Sequence, residues 1–332
     1  MTRKPPQQAG RPAAAPPLPV QPPEKPPRPP VPSTPPERPD PARLVGKIAP
    51  GDSTARRVWQ VASRMLTSSR DSRELPELVT AVQLPVTTGR RVAITSVRGG
   101  AGKSAVAALL GIVYAARRVD AVLAADADPD GGSLAWRLGL SGTATMSDLA
   151  PRLLAARGGE LSGLDQLLPR TRTGLWVLPG GAPDQPRLAR DVTRALSRLF
   201  AVCVTDCGRG MDSPATVQVL SEAHAVVVVA PATPDGVRTT CDALDRVAGT
   251  DRSASLSRVV VALSAHTAEG KAALRASAAR EAFARYDVPV VVLPYDRHLA
   301  AAAAITPSQI GHATLVEATR LAGQALARAG PL

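Results

Sequence analysis

The stretch that decides the fold is residues 92–104, which read VAITSVRGGAGKS. It begins with a short apolar run, passes through three glycines within four positions, and leads into the apolar segment 105–116. A short apolar run predicts a buried strand, and a long apolar segment after a glycine turn predicts a helix. The stretch therefore predicts a strand, a glycine-rich loop and a helix in immediate succession.

The first apolar run is residues 92–96, and six further short, valine-rich runs follow it along the chain. They are separated by segments of helical length and lie at 121–125, 175–178, 201–205, 225–230, 258–263 and 288–293. Near-continuous apolar runs are typical of strands buried on both faces, as in a parallel sheet covered by helices. Strands that alternate with helices are joined by right-handed crossovers. We therefore predict an α/β fold with a doubly wound, mostly parallel sheet.

The glycine-rich loop has the composition of a phosphate-binding loop. Lys103 is placed to reach the β- and γ-phosphates of a nucleotide, and the Ser104 hydroxyl to ligate Mg²⁺. The helix start adds its partial positive charge. Val97 stands where the usual motif has its first glycine, so the loop is a deviant form. We expect the backbone N–H groups to face phosphate oxygens at Gly99, Gly100, Ala101 and Gly102.

Aspartates follow the second and fourth apolar runs. Asp126 and Asp128 are two positions apart, so they share a face if the strand continues that far. Because the carboxyl ends of parallel strands meet at the ligand edge, we assign Asp126 to the Mg²⁺ or Lys103 environment and Asp128 to orienting the attacking water. Asp206, after the fourth run, is assigned to a Mg²⁺-bound water. The alternative for Asp126 and Asp128 is that they only cap a polar loop.

The same segments contain no obvious strong general base. Hydrolysis would therefore depend on water positioning and electrostatic stabilisation, and turnover is expected to be slow without an activator. The sequence thus predicts a Mg²⁺-dependent ATPase.

Four features together resemble the MinD/ParA-type ATPases over about residues 89–328: the deviant loop, the sequence DADP at 126–129, the strand-terminal Asp206 and the sequence PYD at 294–296. The proline-rich leader and the stretches 125–134, 205–210 and 230–236 resemble more closely the EspI-like ATPases of actinobacterial type VII (ESX) secretion loci. The resemblance implies a P-loop NTPase fold, an ATP-sandwiched homodimer and a regulatory action on the secretion apparatus.

The resemblance also implies roles for single residues. Arg98 stands at the position of the signature lysine that crosses to the partner's phosphates, and a guanidinium can keep this role because it binds phosphate through a fork of donors. Alternatively, Arg98 only forms part of the loop. Pro294 and Asp296 are candidates for contacts to the base, and Ser264 stands near the position of the family's asparagine.

The N-terminal 88 residues differ in composition from the rest. Residues 1–42 hold 17 of the 33 prolines and predict a disordered arm, which either recruits a partner protein or is an inert tail. Residues 43–88 predict a helical accessory segment: one helix capped by Asp52 or Ser53 and ending near Ser68, and a second at about 74–82 with Pro76 in its first turn. Residues 89–332 are the predicted ATPase domain.

The net charge of +12 leaves a second function open. Residues 1–90 supply +7 of it, which suits an acidic partner, nucleic acid or anionic lipid, or reflects an arginine-rich composition. A helix predicted to carry Lys271, Arg275, Arg280 and Arg285 either binds DNA non-specifically or presents a solvated face. The alternatives to a secretion ATPase are therefore a ParA-like positioning ATPase and a nucleotide-bound scaffold with negligible turnover.

Two further observations bear on location. No stretch reaches the ~18 consecutive apolar residues that span a bilayer, and the N-terminal residues do not resemble a secretory signal. The three cysteines form no CxxC pair. We expect a cytoplasmic protein that reaches the membrane, if at all, through a partner.

Overall fold

The computed structural model describes residues 45, 48–53, 70–129, 131–142, 144–155, 163–181, 186–208, 210–250, 253–268 and 274–330. The chain divides into two units, Met1–Leu44 and Val45–Leu332, and every described residue lies in the second. The proline-rich arm and the helix predicted to end near Ser68 lie outside the described residues.

Seven parallel strands form one sheet in the order β3-β2-β4-β1-β5-β6-β7. Each strand matches one of the seven apolar runs to within two residues at either end, which confirms the doubly wound α/β prediction. The strands are β1 (Arg90–Thr95), β2 (Val122–Asp126), β3 (Trp176–Leu178), β4 (Val202–Asp206), β5 (Ala225–Pro231), β6 (Val259–Ser264) and β7 (Val290–Leu293).

The order of the strands reverses at β1, which lies in the middle of the sheet. The strands β4, β2 and β3 lie on one side of it, and β5, β6 and β7 on the other. In open α/β sheets, ligands bind outside the carboxyl ends of the strands at such a switch point. The glycine-rich loop leaves β1 at this place.

Helices cover both faces of the sheet. In the described part of the chain they are α1 (Arg70–Gln83), α2 (Lys103–Arg117), α3 (Leu134–Arg137), α4 (Met146–Ala155), α5 (Pro186–Leu196), α6 (Pro214–Glu222), α7 (Pro234–Ala248), α8 (Ala276–Ala284), α9 (Arg297–Ala300) and α10 (His312–Arg328). Because side chains alternate along a strand, Val92 and Ile94 pack with α2 and α10, while Ala93 packs on the opposite face with α7 and α8. The helices α4 and α5 cover that opposite face over β2 and β3.

The helix before the sheet is longer than predicted. It begins at Arg70, so Pro76 lies in its interior and not in its first turn. An interior proline gives up one backbone hydrogen bond, but packing against the domain offsets this loss. Val82 is fully buried in the core that α2 and α10 share, and Arg118 Nη1 donates to the Val82 carbonyl at 2.7 Å.

The segment 48–53 packs beside the start of α10. Gly51 N donates to the Gln309 carbonyl at 2.8 Å, and Asp52 Oδ2 accepts from His312 N at 2.8 Å. Gly51 also lies against Asp296, since a Cβ at position 51 would come within 2.5 Å of both carboxylate oxygens. The segment 48–53 is thereby joined to the carboxyl-edge side of the domain.

Asp52→Ala is expected to lower the free energy of unfolding by about 1 kcal/mol. The substitution removes an acceptor from the first N–H of α10, which has no side-chain cap from its own N-cap residue Gly311. Urea unfolding measures the loss, and the exposed Asp191→Ala is the matched control. Equal stabilities of the two variants would contradict this role of Asp52.

The predicted basic helix is shorter than expected. Of its four residues only Arg280 lies inside α8, and Lys271 is outside the described residues. Arg275 precedes the helix, and Arg285 follows it, where Nη2 donates to Asp245 Oδ2 at 2.8 Å. The prediction of one helix that carries all four cations was therefore wrong, because the chain turns before and after a helix of nine residues.

Among the described helices, none combines the length and the apolar composition that crossing a bilayer requires.

Candidate nucleotide-binding site

The loop between β1 and α2 ends in backbone that only glycine adopts readily. Gly100 and Gly102 have φ values of 76° and 92°, in the left-handed region. Gly102 is the N-cap of α2 and offers no side chain to its first turn, which also contains no acidic residue. The amide N–H groups at this helix start therefore remain available for an anion.

The structure places Lys103 and Ser104 next to Asp206. The Ser104 hydroxyl and the Lys103 charge both lie close enough to the Asp206 carboxylate to lower its pKa, against the larger effect of burial. Within the loop, Gly99 and Gly100 are exposed, while Ala101 is buried. The predicted loop residues and the fourth-strand aspartate thus lie in one site.

Two of the predicted aspartates are neighbours across the sheet. Asp126 and Asp206 are register partners at the ends of β2 and β4, and Ile94 of β1 is the partner of Asp206 on its other side. Both carboxyl groups are almost completely buried, with 1% and 2% of their surface exposed. Burial raises the pKa of Asp126 to about 6 and that of Asp206 to about 7.

Asp126 fixes the segment that follows it. Its Oδ1 accepts from Asp128 N at 3.0 Å and its Oδ2 from Leu134 N at 3.3 Å. Gly132 packs directly against the same carboxylate, since a Cβ at position 132 would lie 2.5 Å from both of its oxygens. The carboxylate therefore holds Asp128, predicted to orient water, in a defined position.

The donor set fits a magnesium ion. Asp206 Oδ1 is buried without a hydrogen-bond partner, and an unpartnered buried carboxylate oxygen is costly unless a cation or a cation-bound water meets it. The described residues contain no cluster of three His, Cys, Asp or Glu side chains suited to a metal. One or two carboxylates, a hydroxyl and the substrate's phosphates are the usual ligands of Mg²⁺ in phosphate sites.

A cavity of about 230 Å³ opens beside the loop. Its lining includes Gly100 and Gly102 of the loop together with Ser264, Pro294 and Asp296. The structure thus brings the predicted base-contact residues to the predicted phosphate loop.

The carboxylate of Asp296 is already engaged by backbone groups. Its Oδ1 accepts from His298 N at 2.8 Å and from Leu299 N at 3.3 Å, and its Oδ2 accepts from Gly311 N at 2.8 Å. Asp296 therefore shapes the wall of the cavity.

Sequence reasoning missed two residues of this cavity. His266 Nε2 lies 3.1 Å from the Ala101 carbonyl, so the ring contacts the loop itself. Arg137, the last residue of α3, lines the cavity beside α2. The position of His266 just after β6 was a usable signal, whereas no sequence pattern pointed to Arg137.

Arg98 does not line the cavity. Its Nη1 donates to Asp235 Oδ2 at 2.5 Å, in the first turn of α7, and both side chains are about half exposed, at 55% and 54%. The structure therefore directs the Arg98 side chain to an exposed ion pair and not into this cavity.

Comparison with known proteins agrees with this geometry. Residues 92–305 match the CobQ/CobB/MinD/ParA nucleotide binding domain family. The ESX-1 secretion-associated protein EspI of Mycobacterium tuberculosis is 34% identical over 229 residues, which are 65% of this chain and 33% of that protein. The chain thus spans one third of the length of this relative.

Solved structures show the same fold. The cell division ATPase MinD of Pyrococcus furiosus matches with a TM-score of 0.52 at 22% identity, over 70% of this chain and 97% of the other. MinD of Pyrococcus horikoshii, solved with Mg-ADP, matches with a TM-score of 0.52 at 19% identity, over 70% and 95%. The family match covers well over half of the chain, on the residues that build the loop, the aspartate pair and the cavity. The chain belongs to the CobQ/CobB/MinD/ParA family of nucleotide binding domains.

Proposed function

We propose that this chain binds ATP with Mg²⁺ at the loop between β1 and α2 and hydrolyses it slowly as a regulatory ATPase. The observation that supports this most is the buried, unpartnered Asp206 Oδ1 beside Lys103 and Ser104. A carboxylate, a hydroxyl and an ammonium group at an uncapped helix start suit a polyphosphate with its cation better than any other ligand class.

Each residue has a distinct role in this proposal. The loop amides and Lys103 bind the phosphates, Ser104 would ligate the cation, Asp206 would hold a water bound to it, and Asp128 orients the attacking water. When bound, Mg²⁺ supplies neutralisation of charge that develops on the phosphate oxygens. Because no strong general base is assigned, acceleration comes from positioning and electrostatics, and we expect slow turnover.

We infer further that ATP gates a homodimer in which Arg98 acts across the interface. An exposed ion pair such as Arg98–Asp235 contributes little, so Arg98 can exchange Asp235 for a phosphate of the partner's nucleotide. The family to which the chain belongs supports this arrangement, because resemblance to the MinD/ParA-type ATPases implies an ATP-sandwiched homodimer.

Arg98→Ala is expected to lower ATP turnover about 10-fold or more while changing ATP affinity by less than about twofold. The reason is that the guanidinium meets phosphate only in the dimer, where charge-assisted hydrogen bonds are strong. Phosphate release and light scattering with and without ATP measure turnover and dimerisation.

Arg238→Ala is the matched control, because Arg238 Nη2 pairs with the same Asp235, at 3.1 Å, but lies on α7. An equal loss of turnover in both variants, or none in either, would speak against the role of Arg98 in the dimer.

We propose that the dimer acts on type VII secretion and meets a protein partner through residues 1–42, at the membrane where such a partner resides. Similarity to EspI supports this link. Secretion in cells that carry Lys103→Ala tests it, since normal secretion would contradict the link.

Two other results would favour a different function. ATP-dependent, salt-sensitive binding of duplex DNA would favour the positioning function, and an ATP-dependent dimer without phosphate release would favour a scaffold.

A further inference from the structure

Arg137 is held rigidly at the edge of the nucleotide cavity. It ends α3, whose first residue Leu134 donates its N–H to Asp126 Oδ2, and its own carbonyl accepts from Ile305 N at 2.7 Å. The preceding residue, Trp136, donates its indole N–H to the Ala302 carbonyl at 3.3 Å. The backbone of Arg137 is thereby fixed between the metal-side aspartate and the wall of the cavity.

The guanidinium of Arg137 has donors that the described residues leave unused. Its Nε is buried without a hydrogen-bond partner, and Nη1 makes one long hydrogen bond of 3.4 Å, to the Leu299 carbonyl. No described carboxylate forms a salt bridge with it. Arg137 is partly buried, and a guanidinium that has lost part of its hydration stays charged and gains from an anion that meets its free donors.

The position of this cation indicates which anion it meets. Arg137 lines the same cavity as Gly100, Gly102 and Ala105, which belong to the phosphate loop and the first turn of α2. The Asp206 charge also acts on Arg137, so the guanidinium lies within electrostatic range of the proposed cation site. A phosphate group offers the oxygens that a guanidinium fork binds.

We propose that Arg137 binds a phosphate group of the nucleotide directly, from the side of the cavity that α3 forms. This inference rests on the proposed function and adds a second phosphate-binding cation to Lys103. Arg137 would connect nucleotide binding to the segment between Asp126 and α3, because that short helix supplies its backbone.

The test compares nucleotides with and without phosphates in Arg137→Gln, which removes the charge and keeps a polar side chain. Binding of ATP and ADP to the full chain is measured by calorimetry, and adenosine by competition against fluorescent ADP. Affinity for ATP and ADP is expected to fall about 10- to 100-fold, while that for adenosine changes less than about twofold. Arg152→Gln, an exposed residue on α4, is the matched control.

Arg137→Lys keeps the inference falsifiable if the glutamine variant folds poorly. Lysine retains the positive charge but not the forked N–H donors of a guanidinium, so ATP affinity should fall about 3- to 10-fold. Affinity for adenosine should again be unchanged. Unchanged ATP affinity in both variants, or an equal loss for adenosine and ATP, would overturn the inference and leave Arg137 a wall residue. Wild-type protein that bound neither ATP nor ADP would overturn the proposed function itself.

Discussion

Replacing Lys103 with alanine is expected to weaken Mg-ATP binding by about 100-fold or more. Lys103 begins α2 directly after the glycine loop, where the ammonium group acts on the site of Asp206. Removing it deletes the charge-assisted hydrogen bonds to the phosphates and takes away a positive charge that acts on the buried Asp206. Isothermal titration with Mg-ATP measures the loss directly.

The matched control for this prediction lies on the same helix. Arg117→Ala removes a positive charge from the opposite end of α2. The backbone carbonyl of Arg117, which this substitution keeps, accepts from Gln83 Nε2 at 3.0 Å. ATP affinity should stay within about twofold of the wild-type value in this variant. If Lys103→Ala kept wild-type affinity, the assignment of the site to the glycine loop would be wrong.

Asp206→Asn is expected to stabilise the nucleotide-free protein while removing the Mg²⁺ dependence of ATP binding. Burial raises the pKa of Asp206 from 3.8 to about 7, so the folded protein holds this proton more tightly than the unfolded chain. Stability therefore falls as the pH rises from about 4 to 7, and an asparagine escapes this loss because it does not ionise.

The free energy of unfolding of Asp206→Asn should exceed that of the wild type by about 2–4 kcal/mol at pH 8 and by less than about 1 kcal/mol at pH 4. The upper figure follows from a pKa raised by about three units, at 1.36 kcal/mol for each unit. Urea unfolding at both pH values without Mg²⁺ measures it, and the exposed Asp212→Asn is the control. A variant less stable than wild type at pH 8, or one whose ATP binding still responded to Mg²⁺, would contradict the role given to Asp206.

The strands and the loop could be predicted because the forces that form them are local. A strand buried on both faces needs consecutive apolar residues, so each of the seven runs marks its own strand. Lys103, Ser104 and Asp206 follow strand ends, and the rule that parallel strands present their carboxyl ends at one edge brings them together.

The remaining features depend on contacts between distant segments. Arg98 is 137 positions from Asp235, and His266 is 165 positions from Ala101, so no local pattern predicts either contact. The position of His266 just after β6 indicates only that it lies at the carboxyl edge of the sheet. The position of Pro76 was mispredicted because packing of α1 against the domain outweighs the preference of proline for a first turn. Arg137 resembles any helix-terminal arginine until α3 is placed against the cavity wall.

The most direct test of the site is a crystal structure of the protein with Mg²⁺ and a non-hydrolysable ATP analogue. The phosphates are expected to lie on the amides of residues 99–104. The Mg²⁺ is expected about 2.1 Å from Ser104 Oγ, with Asp206 bonded to one of its waters. A nucleotide bound elsewhere on the chain, or phosphates that left the loop amides and Asp206 without contact, would contradict the account.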